Sequence, residues 1–301
     1  MSDSPSTAAS RVPAGLRYMV LAAFYFSLMS LLVKLAGQRL PGAQMVFARS
    51  IVALVLSYGM LRRINVSPWG EKKGLLFFRG FIGFLGLLCF FYAIPRLPLA
   101  DVTVIQYTNP VFTAVLAAIF LKETLGKGEV SGLALSLLGI VLVAQPTFLF
   151  GLRGGSLDLL AVGVALLGAV FAAMAYTSVR KLRETEHHLV VVFYFPLVAT
   201  PASIPVMWND ALWPTPLEWL MLLGIGVFTQ IAQVYMTKGI HAEKAGKAMS
   251  LSYIQIVFAA VWGFLFFSEV PDWLSIIGAV LVVAGTLVAG RKGNAESGKT
   301  A

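Results

Sequence analysis

The chain has 301 residues, 58% of them hydrophobic and only 12% charged, with a mean hydropathy of +0.82. A water-soluble domain is roughly 45–50% apolar and about 25% charged, so this composition excludes a soluble globular protein and points to an all-α integral membrane protein. The formal net charge of +9 does not imply nucleic acid, because the basic residues gather at the ends of apolar segments, where they report topology.

A helix needs about 20 apolar residues to cross the hydrocarbon core. Ten such segments follow one another: about 17–37, 42–61, 74–94, 98–121, 129–146, 156–180, 188–207, 217–239, 246–268 and 272–290. The first is long and lacks a cleavage site, so it is read as a span and not as a removed leader. Residues 1–16 and 291–301 are expected to be flexible tails. Residues 17–146 and 156–290 form two five-helix units, joined by a linker at 147–155. Short connections make neighbouring helices antiparallel. The one cysteine, Cys89, excludes an intrachain disulfide and a cysteine metal cluster.

Ten spans put both ends of the chain on one side. Of the 23 Lys and Arg, 18 then fall on that side, four (Lys34, Arg39, Arg96, Arg153) on the other, and Arg49 within the second segment. Cytoplasmic loops carry the basic excess, so both termini are expected in the cytoplasm and the chain in the cytoplasmic (inner) membrane, passing it many times.

In chain order, the first segment aligns Ser27, Ser30 and Lys34 on one face. The second carries Arg49 about eight residues in, too deep for easy snorkelling; an intramembrane charge is expensive and a functional candidate by default. Its alternative reading is a structural lock onto carbonyls or a carboxylate. The third bears Arg79, Gly83, Gly86 and Phe90 on one face. Arg79 is either cavity wall or a snorkelling anchor, as are Lys34 and Lys181.

The fourth segment contains "VTVIQYTNPVFTAV". At about 100° per residue, Thr103, Gln106, Tyr107, Pro110 and Thr113 share an arc of about 120°, with Asn109 at its margin. Unpaired polar groups facing lipid cost several kcal/mol, so this stripe faces protein or water. Pro110 also leaves the Gln106 carbonyl without its helical donor. The fifth segment has Gly132 and Gly139 seven apart, matched in the tenth by Gly278 and Gly285. Small residues permit close helix approach, so these two helices are scaffold or dimer contacts, and either a monomer or a homodimer is expected. The sixth places Tyr176 and Thr177 with Lys181. The eighth aligns Gln230, Gln233 and Thr237, and the ninth Ser252 and Tyr253, with Gln255 at the margin and Trp262 beyond. Tyr176 and Trp262 either stack on a substrate or pack. The polar stripes line a cavity, or else act as helix–helix glue.

A shift of 146 residues lays "YTNPVFTAVLAAIFLKE" on "YIQIVFAAVWGFLFFSE", matching Tyr107 with Tyr253, Glu123 with Glu269, Gly132 with Gly278 and Gly139 with Gly285. A one-residue adjustment also aligns Phe24 with Phe171 and Lys34 with Lys181. Five spans are an odd number, so the halves are expected to cross the membrane in opposite senses. Inverted repeats are a recurring basis of alternating access, with the substrate near mid-membrane at their interface. Pro110 is matched by Ile256, so the two halves need not bend alike.

Across about 17–290 the sequence resembles the EamA-type branch of the drug/metabolite transporter superfamily, on the duplicated pattern of Tyr, Val-Phe, Glu and paired Gly quoted above. The resemblance implies ten helices, an internal duplication and transport of small metabolites, amino-acid export foremost. It also matches Arg49 to an arginine common in the second helix of that family.

No Asp or Glu lies in the middle third of any segment; Asp101, Asp158 and Glu218 sit near ends. A buried carboxylate relay is the usual sign of proton coupling, so facilitated diffusion or exchange is expected. Amides, hydroxyls and a cation suit zwitterions and other polar metabolites. A nucleoside-like substrate such as S-adenosylmethionine is the alternative substrate, and a non-transporting receptor or assembly subunit the alternative class. No metal or cofactor is implied; an intramembrane enzyme would need a nucleophile, metal cluster or carboxylate pair near the interface, and here Glu123 and Glu269 are expected on opposite surfaces and no histidine-rich metal motif appears.

Overall fold

The computed structural model describes residues 14–94, 96, 97, 99–150, 158–268 and 270–291, and these are all helices and connections, without a strand among them. The helices are α1 (Ala14–Ala36), α2 (Gly42–Arg63), α3 (Lys73–Ala93), α4 (Leu99–Gln106), α5 (Asn109–Phe120), α6 (Lys127–Ala144), α7 (Thr147–Phe150), α8 (Leu159–Leu182), α9 (His188–Met207), α10 (Pro216–Ala242), α11 (Ala245–Leu251), α12 (Ile254–Phe267) and α13 (Trp273–Arg291). Ten spans among the described residues are long and apolar enough to cross a membrane. The fourth is α4 with α5, and the ninth is α11 with α12.

Two expected boundaries move. Helix α1 starts at Ala14, inside the stretch 1–16 taken as tail, and α7 opens the stretch 147–155 taken as linker. Residue Glu269, matched above to Glu123, lies outside the described residues.

Helix starts follow local chemistry. At α10 the Thr215 hydroxyl accepts from the Glu218 N–H and the Glu218 carboxylate accepts from the Thr215 N–H, with Pro216 in the first turn. Two orphan donors are satisfied reciprocally, and proline costs nothing where its N–H is not needed. At α8 the Asp158 carboxylate accepts from the Ala161 N–H.

The main helix pairings are α6 with α13, α1 with α10, α3 with α8 and α2 with α9. Exchanging the first five spans with the second five leaves this set unchanged. Helices α6 and α13 run antiparallel, with Gly132 against Gly285 and Gly139 against Gly278. A Cβ on Gly139 would sit 2.5 Å from the Gly278 carbonyl oxygen, so only glycine permits this approach. The glycine faces are therefore scaffold within one chain and are not available as dimer contacts.

The two described ends lie on one face: Gly15 packs against Glu243, and the position of a Gly290 Cβ is 3.9 Å from Leu16. The outer surface of the bundle is apolar, with Phe77, Phe81, Ile119, Phe120, Leu265 and Phe266 exposed, as acyl chains require.

Candidate functional site

Both polar spans break, and at matching positions. Helix α4 ends at Gln106 and α5 begins at Asn109; α11 ends at Leu251 and α12 begins at Ile254. At the first break the Thr108 N–H bonds back to the Ile105 carbonyl at 3.0 Å; at the second the Ser252 N–H bonds to the Met249 carbonyl at 3.1 Å. Both are three-residue closures that tighten the chain. Proline is therefore not required, since the second break forms with Ile256 in place of Pro110. The Gln106 carbonyl that Pro110 leaves without a donor takes one from the Asn109 side-chain amide at 2.8 Å.

The breaks meet. The Tyr253 hydroxyl donates to the Tyr107 backbone carbonyl at 2.9 Å, and the ring centroids are 5.9 Å apart. The Tyr253 side chain is fully buried.

A small cavity of about 10 Å³, room for about one water, lies between α2, α9 and α10, lined by Arg49, Ser50, Phe195, Pro196, Gln230 and Gln233 among others. Pro196 has no N–H to return to the Val192 carbonyl one turn earlier, and both residues line the pocket. The Arg79 side chain, 3% exposed, reaches it from α3. Its Cζ lies 5.2 Å from the Phe195 ring centroid, and that of Arg49 lies 5.8 Å from the same ring. Gly83 permits this, because a Cβ there would stand 3.2 Å from the Phe195 ring.

Several polar atoms at the pocket lack partners. The Nε of Arg49, Nε and Nη1 of Arg79, the Gln230 carbonyl oxygen and the hydroxyls of Ser50 and Thr229 are buried without a hydrogen bond. The nearest approach is a long one, from Arg79 Nη2 to the Gln233 amide oxygen at 3.5 Å. Among the described residues no carboxylate lines the pocket. Arg49 is thus not locked onto a carbonyl or carboxylate among the described residues, and Arg79 is buried instead of snorkelling.

Of the residues singled out in the sequence, the geometry brings together Arg49, Arg79, Gln230 and Gln233. It does not bring the others there. Ser252 spends its hydroxyl on the Met249 carbonyl, Ser30 on Phe26 and Thr177 on Ala173. Trp262 donates to Ser27 at 2.9 Å, packing α12 on α1. Gln106, Asn109 and Gln255 lie at the breaks and do not line the pocket. Phe195 was missed; the signal available was the Pro196, Pro201 and Pro205 series in one span.

On the face that holds the chain ends, Glu123 and Arg180 form a buried ion pair at 2.6 Å. Glu123 also accepts from the Ala245 N–H at the start of α11, and Arg180 donates to the Ile240 and His241 carbonyls. This one network ties the end of α5 to α8, α10 and α11. On the opposite face the Lys34 ammonium lies 4.1 Å from the Phe267 ring centroid, joining α1 to α12. Asp101, 1% exposed, is occupied by the Thr147 N–H and hydroxyl, both at 2.6 Å, so it secures α7 to α4.

The model of the EamA-like transporter family matches twice, over residues 13–145 and 159–291, both ends shifting by the same 146 residues. The chain belongs to the EamA-like transporter family. It is accordingly a multi-pass membrane transporter, as the sequence resemblance implied. Among similar EamA-type proteins, a pseudopaline exporter of Pseudomonas aeruginosa is 40% identical over 92% of this chain and 96% of its own length. Solute carrier family 35 member G1 of Homo sapiens is 30% identical over 91% of this chain and 78% of its own. One solved crystal structure shares the fold at TM-score 0.79 and 19% identity, covering 91% of this chain and 96% of that one.

Proposed function

We propose that this EamA-like transporter exports a small polar metabolite, an amino acid or a close derivative, across the cytoplasmic membrane by alternating access. The observation that carries the reading is the pocket with unpartnered atoms of Arg49, Arg79, Gln230 and Thr229, in a bundle whose two broken spans meet at Tyr107 and Tyr253. Unsatisfied buried polar groups are costly, and a ligand that satisfies them is the economical explanation for keeping them. Relatives named as pseudopaline exporters support the outward direction.

The two five-span halves act as inverted repeats, a reading supported by antiparallel α6 and α13 and by helix pairings unchanged on exchange of the halves. The Glu123–Arg180 network then closes the cytoplasmic gate, and the α1–α12 contact at Lys34 and Phe267 forms the opposite one. The cytoplasmic side is assigned from the 18 to 4 distribution of basic residues. Asp101 is taken up by Thr147, which supports facilitated transport or exchange over a proton relay. Two unpaired guanidiniums work against S-adenosylmethionine, which carries a sulfonium and an ammonium.

The test is counterflow of labelled amino acids in proteoliposomes. Flux above protein-free liposomes is expected, lowered about tenfold or more in Gln230→Ala and far less in Gln106→Ala, since loss of a hydrogen bond to a charged or polar ligand costs about 1.5–3 kcal/mol. Flux indifferent to Gln230→Ala but abolished by Gln106→Ala would move the site to the fourth-span break.

A further inference from the structure

Arg49 and Arg79 enter the bundle from opposite faces. Each sits about 9–10 Å along its helix at 1.5 Å per residue, and both guanidiniums converge on one aromatic ring, that of Phe195. The two Cζ atoms are at most 11.0 Å apart, the sum of their distances to that ring's centroid. Buried charges are ordinarily paired, yet among the described residues neither has a carboxylate partner, and three of their nitrogens are buried with no acceptor. The Phe195 ring offsets part of this through its negative face, but it cannot neutralise two cations. The Gln230 and Gln233 amides complete the wall, the former 2% exposed with its oxygen unpartnered.

We infer that the Arg49–Arg79 pair is a clamp for a substrate with two acidic groups a few bonds apart, such as a four- to six-carbon dicarboxylate or an amino acid bearing a second carboxylate. The inference rests on the transport reading above and narrows its substrate class. A planar guanidinium presents its donors as a fork that matches a carboxylate bidentately. Two forks gathered on one ring, at most 11.0 Å apart, can hold two carboxylates of one molecule. A neutral amino acid supplies one carboxylate and brings an ammonium next to the second arginine. A dibasic amino acid brings two. The Gln230 oxygen and the Thr229 hydroxyl, being neutral, then accept from the amine or hydroxyl of the same molecule. In the empty pocket the clamp is under mutual repulsion. Removing one arginine therefore relieves the ligand-free protein while destroying the site.

The experiment measures the thermal midpoint of the detergent-purified full chain with sodium succinate, L-glutamate, L-glutamine and L-lysine at matched ionic strength. A ligand that binds only the folded protein raises that midpoint by mass action. A saturable rise is expected with succinate and glutamate, a smaller one with glutamine and none with lysine. Arg49→Gln and Arg79→Gln should each lose the diacid response while keeping or raising the ligand-free midpoint. Arg→Lys at either position, which retains charge but not the fork, should retain part of it. The clamp is overturned if neither diacid stabilises, if glutamine and lysine stabilise as well as glutamate, or if both Gln variants have a lowered ligand-free midpoint, which would make the arginines structural. Counterflow of labelled glutamate and of neutral amino acids in proteoliposomes separates the two levels: neutral flux without any diacid flux or diacid response removes the clamp and leaves the transporter, whereas absence of flux for both classes removes both.

Discussion

The Tyr253 hydroxyl reaches the backbone carbonyl of Tyr107, the residue 146 positions before it. The same offset separates the two stretches that match the family. Equivalent positions of the two halves therefore touch each other at the point where both spans lose their helical ladder. The Ser136 hydroxyl and the Val282 carbonyl, 3.4 Å apart, repeat the relation with the same offset. Loss of the phenol in Tyr253→Phe leaves the Tyr107 carbonyl unsatisfied in a dry junction. The expected cost is about 0.5–2 kcal/mol of stability, read as a lowered thermal midpoint in detergent. Tyr107→Phe keeps that bond, because its carbonyl is the acceptor, and should leave the midpoint near wild type while altering flux. Equal midpoints for Tyr253→Phe and wild type would show that the bond holds nothing together.

The α6–α13 crossing gives a sharper contrast. Gly139 faces the Gly278 carbonyl at a distance no Cβ tolerates, whereas Gly59 in α2 has nothing within 4 Å of its Cβ position. Gly139→Ala should cost about 1–3 kcal/mol through overpacking, and Gly139→Leu should abolish folded yield. Gly59→Ala should be neutral or stabilise by up to about 1 kcal/mol, as helix propensity alone dictates. Folded yield and thermal midpoints decide the matter.

Glu123 and Arg180 can be separated by a double-mutant cycle. Both side chains are largely buried, so removing one leaves the other charged and unpaired, at a cost of about 3–5 kcal/mol. Glu123→Gln and Arg180→Met are each expected to lower the midpoint strongly. The double variant should be more stable than the sum of the singles implies. Additive losses would mean that the two groups act independently.

Acid should weaken the start of α9. The Nδ1 of His187 accepts from the Leu189 N–H at 3.3 Å, which requires an unprotonated nitrogen. Burial, aided by the Lys238 charge, holds this imidazole below its ordinary value. The unfolded chain then takes up a proton that the folded chain refuses, so stability is full above the ordinary value of about 6.5 and declines as pH falls below it. The midpoint should drop between about pH 7.5 and about pH 5.5. His187→Asn, which caps without titrating, should make that drop smaller. An unchanged pH profile in that variant would remove His187 from the account.

Much of the architecture was readable in the sequence because membrane spans advertise themselves by length. The breaks at Tyr107 and Tyr253 lay on the repeat that aligned them. Their cause was only half visible: Pro110 suggested a break in the first half, but Ile256 gave no matching signal in the second. There the break coincides with the junction that Tyr253 makes with Tyr107. The pocket was harder. Gln230 and Gln233 share a helical face and could be named in advance, and Arg49 stood out as an intramembrane charge. What joins them is Phe195, an apolar residue in an apolar span, whose role depends on the space left by Gly83 on another helix. Hydroxyls such as those of Ser30 and Ser252 looked the same in the sequence as Thr229. Only local geometry separates a hydroxyl bonded to its own helix from one left open.

In the proposed cycle two inverted halves open one face of the membrane as they close the other. Electron–electron distance measurement on spin labels follows this motion, in a Cys89→Ala background and in lipid nanodiscs. One pair, at Lys122 and Arg183, brackets the Glu123–Arg180 network; the other, at Gln38 and Val270, brackets the Lys34–Phe267 contact. A condition that lengthens the first distance should shorten the second, with matching populations. Distances that lengthen together, or that stay fixed in protein shown to transport, would contradict the account.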